Sequence, residues 1–167
     1  YYKPNNATLA VVGDITQKEL TPMLEKAFAD WKKSNVTPTE IPPASPMPAG
    51  IYFIARPGSV QSSVATSSLA VPLSNPDYEP LSLNANMLGG SFGGRLFKTL
   101  RETYSYTYTP GAFLSRAKQM NRFVTVADVR NPVTDSAIWV IKQEIARMRD
   151  EKVADEELTR MKRFVVG

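Results

Sequence analysis

The stretch "TPTEIPPASPMPAG", residues 37–50, carries five prolines in fourteen positions and limits the fold more than any other segment. Each proline lacks a donor N–H and fixes its own φ, so neither a helix nor an inner strand can run through such a segment. It reads as an extended surface connection of limited flexibility. Pro43 and Pro46 have the P-x-x-P spacing of an SH3 ligand, but no flanking arginine supports that use, and a stiff connector is the simpler reading. Everything else must fold on one side or the other of this connection.

On the N-terminal side, "NATLAVVGD" is a short β-branched run closed by Gly-Asp, the pattern of a buried strand ending in a turn. Thr16 is placed to cap a helix. Leu20, Met23, Leu24, Ala27, Phe28 and Trp31 follow at steps of three and four, which gives that helix one apolar face. On the C-terminal side, "IYFIARPG" and "QSSVATSSLAVP" read as two strands around Pro-Gly-Ser. Helices are expected over residues 78–88 and 92–102, separated by glycines. "YTYTPGAFLSR" and "NRFVTVADVR" are expected to form strands joined by the basic tip "SRAKQMNR". In the second of these, Phe123, Thr125, Ala127 and Val129 share a face, with Val124 and Val126 on the other. A helix after Pro132 shows the stripe Ile138, Ile141, Ile145 and Met148; the last shows Ala154, Leu158, Met161 and Val165. Asp155, Glu156 and Glu157 open the last helix, where capping and solvation account for them. Strands mixed with helices and joined by short turns indicate an α+β fold: a two-layer sandwich, mostly antiparallel, with helices packed on one face of the sheet.

Composition narrows the chemistry. The 167 residues suit one domain, residues 1–167, with 37–50 a connection inside it. There is no Cys and no His, which removes the thiol nucleophile, the disulfide, the commonest general base and the commonest zinc ligand. The lack of cysteine suits a periplasmic or a cytoplasmic setting equally. A net charge of +4 with both signs interspersed, and no dense basic run, gives no footprint for nucleic acid. No stretch approaches the roughly eighteen apolar residues of a membrane span. The start at Tyr1 and the stop at "RMKRFVVG", inside an amphipathic pattern, suggest a domain excised from a longer polypeptide.

The densest chemistry lies in "GGSFGGRLFKTLRETYSYTY", residues 89–108, with four glycines, three cations and three tyrosines. Gly89 and Gly94 have the spacing of a phosphate loop, but Arg95 and Leu96 stand where that chemistry needs Lys and Ser or Thr, and no strand precedes them. The glycines instead suit close backbone packing, because they lack a Cβ. Arg95 either ties down this glycine loop or is a solvated helix cation.

Three segments together, "YYKPNNATLAVVGDIT", "LGGSFGGRLFKTLRETYSYTY" and "ADEELTRMKRFVVG", resemble the second structural unit of the pitrilysin-type zinc metallopeptidases, the family of mitochondrial processing peptidase and insulin-degrading enzyme. The resemblance runs nearly end to end and implies an α+β sandwich. Enzymes of this family hold zinc with an inverted H-x-x-E-H motif, which is absent here. The resemblance therefore implies that this chain binds no metal and that zinc lies in a partner half, on the same polypeptide or in another subunit. It implies a non-catalytic, substrate-binding domain, inactive alone, in which Arg101 and Tyr108, seven residues apart, reach a bound peptide. Tyr104 and Tyr106 compete with Tyr108 for that role. Two alternatives stay open: a structural subunit of the same fold, like the core proteins of respiratory complexes, and a unit of the zinc-bearing half whose ligands precede Tyr1.

Overall fold

The computed structural model describes residues 2–37, 39–42, 45, 48–117 and 120–167. Pro43 and Pro46, the P-x-x-P pair, and Lys118 and Gln119 of the basic tip lie outside the described residues. The chain forms two compact units, Tyr1–Pro42 and Pro43–Gly167.

The first unit is built around α1 (Gln17–Ala27). Thr16 caps it as a full capping box: its hydroxyl accepts from the Glu19 N–H, and its own N–H donates to the Glu19 carboxylate at 3.0 Å. The Asn5 side chain pairs with the Ser34 backbone, and the Trp31 indole donates to the Tyr2 carbonyl, so residues before and after α1 are tied together. No residue of α1 is buried: Leu20 and Leu24 are half-buried and Met23 is exposed. Residues 7–12, read as a buried strand, are not a paired strand, and Leu9, Val11 and Val12 are exposed. An apolar run becomes a strand only where a second backbone satisfies its N–H and C=O groups.

The second unit is a three-stranded antiparallel sheet of β1 (Gln61–Ala70), β2 (Gly111–Leu114) and β3 (Asn121–Arg130), in the order β1-β3-β2. Its register pairs Gln61 with Arg130 and Gly111 with Val126. Thr66 faces Thr125 across the β1-β3 pair, and their hydroxyls bond at 2.7 Å. Along β3, Thr125, Ala127 and Val129 are buried while Arg122, Val126, Asp128 and Arg130 are exposed, the signature of a sheet covered on one face. The cover comes from α2 (Tyr78–Ala85), a π-turn that prolongs it (Asn86–Gly90), a π-helix (Phe97–Thr103), α3 (Thr134–Asp150) and α4 (Asp155–Val166). Leu88, Leu96, Leu100, Ala137, Val140 and Ile141 from that layer meet Val64, Ala112, Ala127 and Val129 from the sheet. The unit is therefore an α+β two-layer structure with its helices on one face, as the pattern predicts.

Four local readings shift. Residues 51–56 are not a strand, and Ile51 and Phe53 are exposed. The strand expected over 106–116 shrinks to Gly111–Leu114, because Pro110 has no N–H to give the ladder and the chain before it is still turning out of the π-helix. On α3 the buried stripe is Ala137, Val140, Ile141 and Glu144, while Ile138 is exposed. Small Ala137, not the bulkier Ile138, faces the sheet. On α4 Met161 alone is buried, and Val165 is exposed.

Candidate functional site

The glycines after α2 bring two layers into contact. A Cβ on Gly89 would lie 2.7 Å from the Ala112 nitrogen and 3.0 Å from the Gly111 carbonyl carbon, so only glycine lets this turn sit against β2. A Cβ on Gly94 would lie 3.0 Å from the Gly89 Cα and 3.1 Å from the Leu88 carbonyl oxygen. The loop is thus a packing junction, as its composition suggests, and it joins helix to strand as well as helix to helix.

Arg95, which follows it, is no solvated cation. Its guanidinium makes a bidentate pair with Glu157, at 3.0 Å on each arm, with both side chains mostly buried. The pair fastens the glycine junction to the start of α4. Glu157 therefore does more than complement the helix dipole. The hydrogen bonds from Arg95 hold its carboxyl below the ordinary glutamate range, against an opposing effect of burial, with Lys98 and Arg160 assisting.

Arg101 stands in the last turn of the π-helix, as expected, and Tyr108 lies in a bend three residues before β2, not on a strand. The structure nevertheless brings them together. The Arg101 guanidinium carbon is 4.3 Å from the centre of the Tyr108 ring and 4.5 Å from that of Phe97. Phe97 and Arg101 are four residues apart, which puts them on one helical face. Phe97 in turn takes the edge of Phe92, with centroids 4.9 Å apart. Arg101 makes no ion pair among the described residues. Its charge is held by aromatic rings, and Tyr108 is 73% exposed. Sequence reasoning missed Phe97; its four-residue spacing from Arg101 is the signal that could have found it.

The competing tyrosines go elsewhere. Just past the π-helix and its C-cap Tyr104, Ser105 has a left-handed φ of 51°. Its N–H reaches the Arg101 carbonyl at 3.1 Å, and the Tyr106 N–H reaches the Leu100 carbonyl at 2.8 Å. This reversal stacks Tyr104 on Tyr106, with centroids 5.2 Å apart, beside α3. Tyr108 alone of the three packs on Arg101. Among the described residues no group of three or more carboxylates could hold a metal, and with neither His nor Cys the donor set does not fit zinc.

A family described as the peptidase M16 inactive domain matches residues 1–165. The chain belongs to that family. Among solved structures, the M16 inactive domain resembles a peptidase M16 inactive domain from Pseudomonas fluorescens at 22% identity, with a TM-score of 0.76 over 93% of this chain and 38% of that one. It also resembles a protease from Helicobacter pylori at 16% identity, TM-score 0.77, over 90% and 37%. A chain of Complex III2 from Candida albicans matches at 16% identity, TM-score 0.69, over 92% and 38%. At these identities the likeness is one of fold. The M16 inactive domain spans less than two fifths of the length of each of these three chains. No helix among its described residues is long and apolar enough to cross a membrane.

Proposed function

We propose that this M16 inactive domain grips peptide for a two-half zinc metallopeptidase, positioning an extended substrate for hydrolysis at zinc held in another domain or subunit. Residues 1–167 act as one substrate-binding domain, a reading supported by the family match over nearly their whole length. The observation that carries the proposal is Arg101: a cation with no carboxylate partner among the described residues, held on Phe97 and Tyr108 beside an exposed phenol. Such an arginine is oriented before any ligand arrives and keeps its donors for a peptide carbonyl. The Tyr108 hydroxyl adds a second donor. Neither group performs proton transfer, and the zinc chemistry lies outside this chain.

A second reading, a structural subunit without peptidase activity, draws support from the fold match to a chain of Complex III2. Peptide hydrolysis by the full-length protein, or by its reconstituted pair, with zinc separates the two. Arg101→Ala and Tyr108→Phe are expected to stay folded and to lose about tenfold or more in kcat/KM, about 1.4 kcal/mol of transition-state stabilisation. Unchanged activity in both variants would make the pair structural. A wild type with no activity against any peptide would favour the scaffold.

A further inference from the structure

A separate concavity of about 480 Å³ opens where the Ser105 turn meets α3, lined by Tyr104, Tyr106, Asp135, Ser136, Trp139 and Val140. Three of these six are aromatic. The Tyr104 and Tyr106 rings stack at an interplanar angle of 19°, and the Trp139 indole is 59% exposed, so an extensive π surface faces solvent. Asp135, in the first turn of α3, supplies the only acidic side chain of the lining. It is exposed, accepts a 3.4 Å contact from the Ser136 hydroxyl and makes no ion pair among the described residues. Arg130, which donates to the Ser105 carbonyl at 3.5 Å, does not neutralise it by ion pairing.

Aromatic faces attract a cation through their quadrupole, and a carboxylate without a counter-ion adds a direct attraction. A proline-binding groove would use the rings without needing the carboxylate. We infer that this concavity is a binding subsite for a lysine or arginine side chain of a peptide, with the rings against the cation and its stem and Asp135 on the charge. The inference is independent of the role of Arg101, which does not line the concavity.

Trp139 reports on it directly. Residues 1–167 contain two tryptophans, so in this segment Trp31→Phe leaves Trp139 as the sole indole. In that background, fluorescence titration compares short blocked peptides that differ only in a central lysine, arginine, norleucine or proline. Saturable quenching is expected with lysine and arginine, about tenfold tighter than with norleucine. Asp135→Asn, with unchanged circular dichroism, is expected to abolish that preference, and Tyr104→Leu to weaken binding of both cationic peptides. Arg101→Ala is expected to leave the preference intact, so its loss of hydrolysis and any failure of this subsite are read separately. Equal binding of norleucine or proline, a charge preference that survives Asp135→Asn, or no saturable change with any peptide would each overturn the assignment.

Discussion

Asn121 is fully buried at the start of β3, and both polar atoms of its side chain are hydrogen-bonded. Its carbonyl oxygen accepts from the Ala117 N–H and the Ser115 hydroxyl, and its amide donates to the carbonyls of Val71 and Ala117. One residue therefore closes the β2-β3 connection and ties it to the chain leaving β1. Removing it takes a partner from the Val71 carbonyl and from the Ala117 N–H and carbonyl in part-buried bonds, and a buried group left unpaired costs about 1–3 kcal/mol. Asn121→Ala is expected to destabilise by about 3 kcal/mol, measured by urea unfolding, whereas Asn5→Ala, on an exposed pair, is expected to cost well under about 1 kcal/mol. At this scale the sequence is only partly legible. The position of Arg101 and Tyr108 follows from a segment with a family resemblance. That Phe97 holds Arg101, that Asn121 is a clamp, and that Asp135 lines one concavity with two tyrosines do not. The Asn121 bond to Val71 and the place of Asp135 depend on which distant segments the topology brings side by side, and no local pattern encodes that.

Elements carry a different kind of information. The face of β3 and the existence of α1, α3 and α4 can be read from periodicity, because alternation and three-to-four spacing are direct consequences of strand and helix geometry. The α3 stripe is misread because Glu144, a charged residue, is buried there while accepting from Arg147 at 3.2 Å, and because alanine carries little weight in a hydrophobic count. The runs at 7–12 and 51–56 are misread because apolarity expresses a demand for burial without naming what meets it. How α4 is attached is also invisible in the sequence, since Arg95 and Glu157 are 62 residues apart. That attachment titrates. The folded state lowers the Glu157 proton affinity, so on acidification the unfolded chain takes up its proton first. The contribution is complete above the ordinary glutamate value of about 4.3 and is lost as pH falls through the lower folded value. Glu157→Gln is expected to cost about 1–3 kcal/mol at neutral pH and to make the variant's acid limb shallower than that of the wild type. Unfolding curves at several pH values between about 3 and 7 check both effects.

For the whole molecule, the contact that sets the spacing of the two layers in the second unit is the approach of Gly89 to β2. It differs in kind from the neighbouring contact at Gly90, where an added Cβ would run into the side chain of Asn86. Overpacking of either sort costs about 1–3 kcal/mol, so Gly89→Ala and Gly90→Ala are both expected to lower the unfolding midpoint. Their genetics should diverge. The clash at Gly90 is with atoms that a second substitution can delete, and Asn86→Ala is expected to restore much of the stability lost in Gly90→Ala. At Gly89 the obstacle is chiefly main chain, which every amino acid shares, so no single compensating change at residues 111 or 112 removes it. A suppressor screen on the two alanine variants would therefore return revertants at a neighbouring side chain for one and, for the other, little besides restored glycine. Position 89 is one at which the backbone itself dictates the residue.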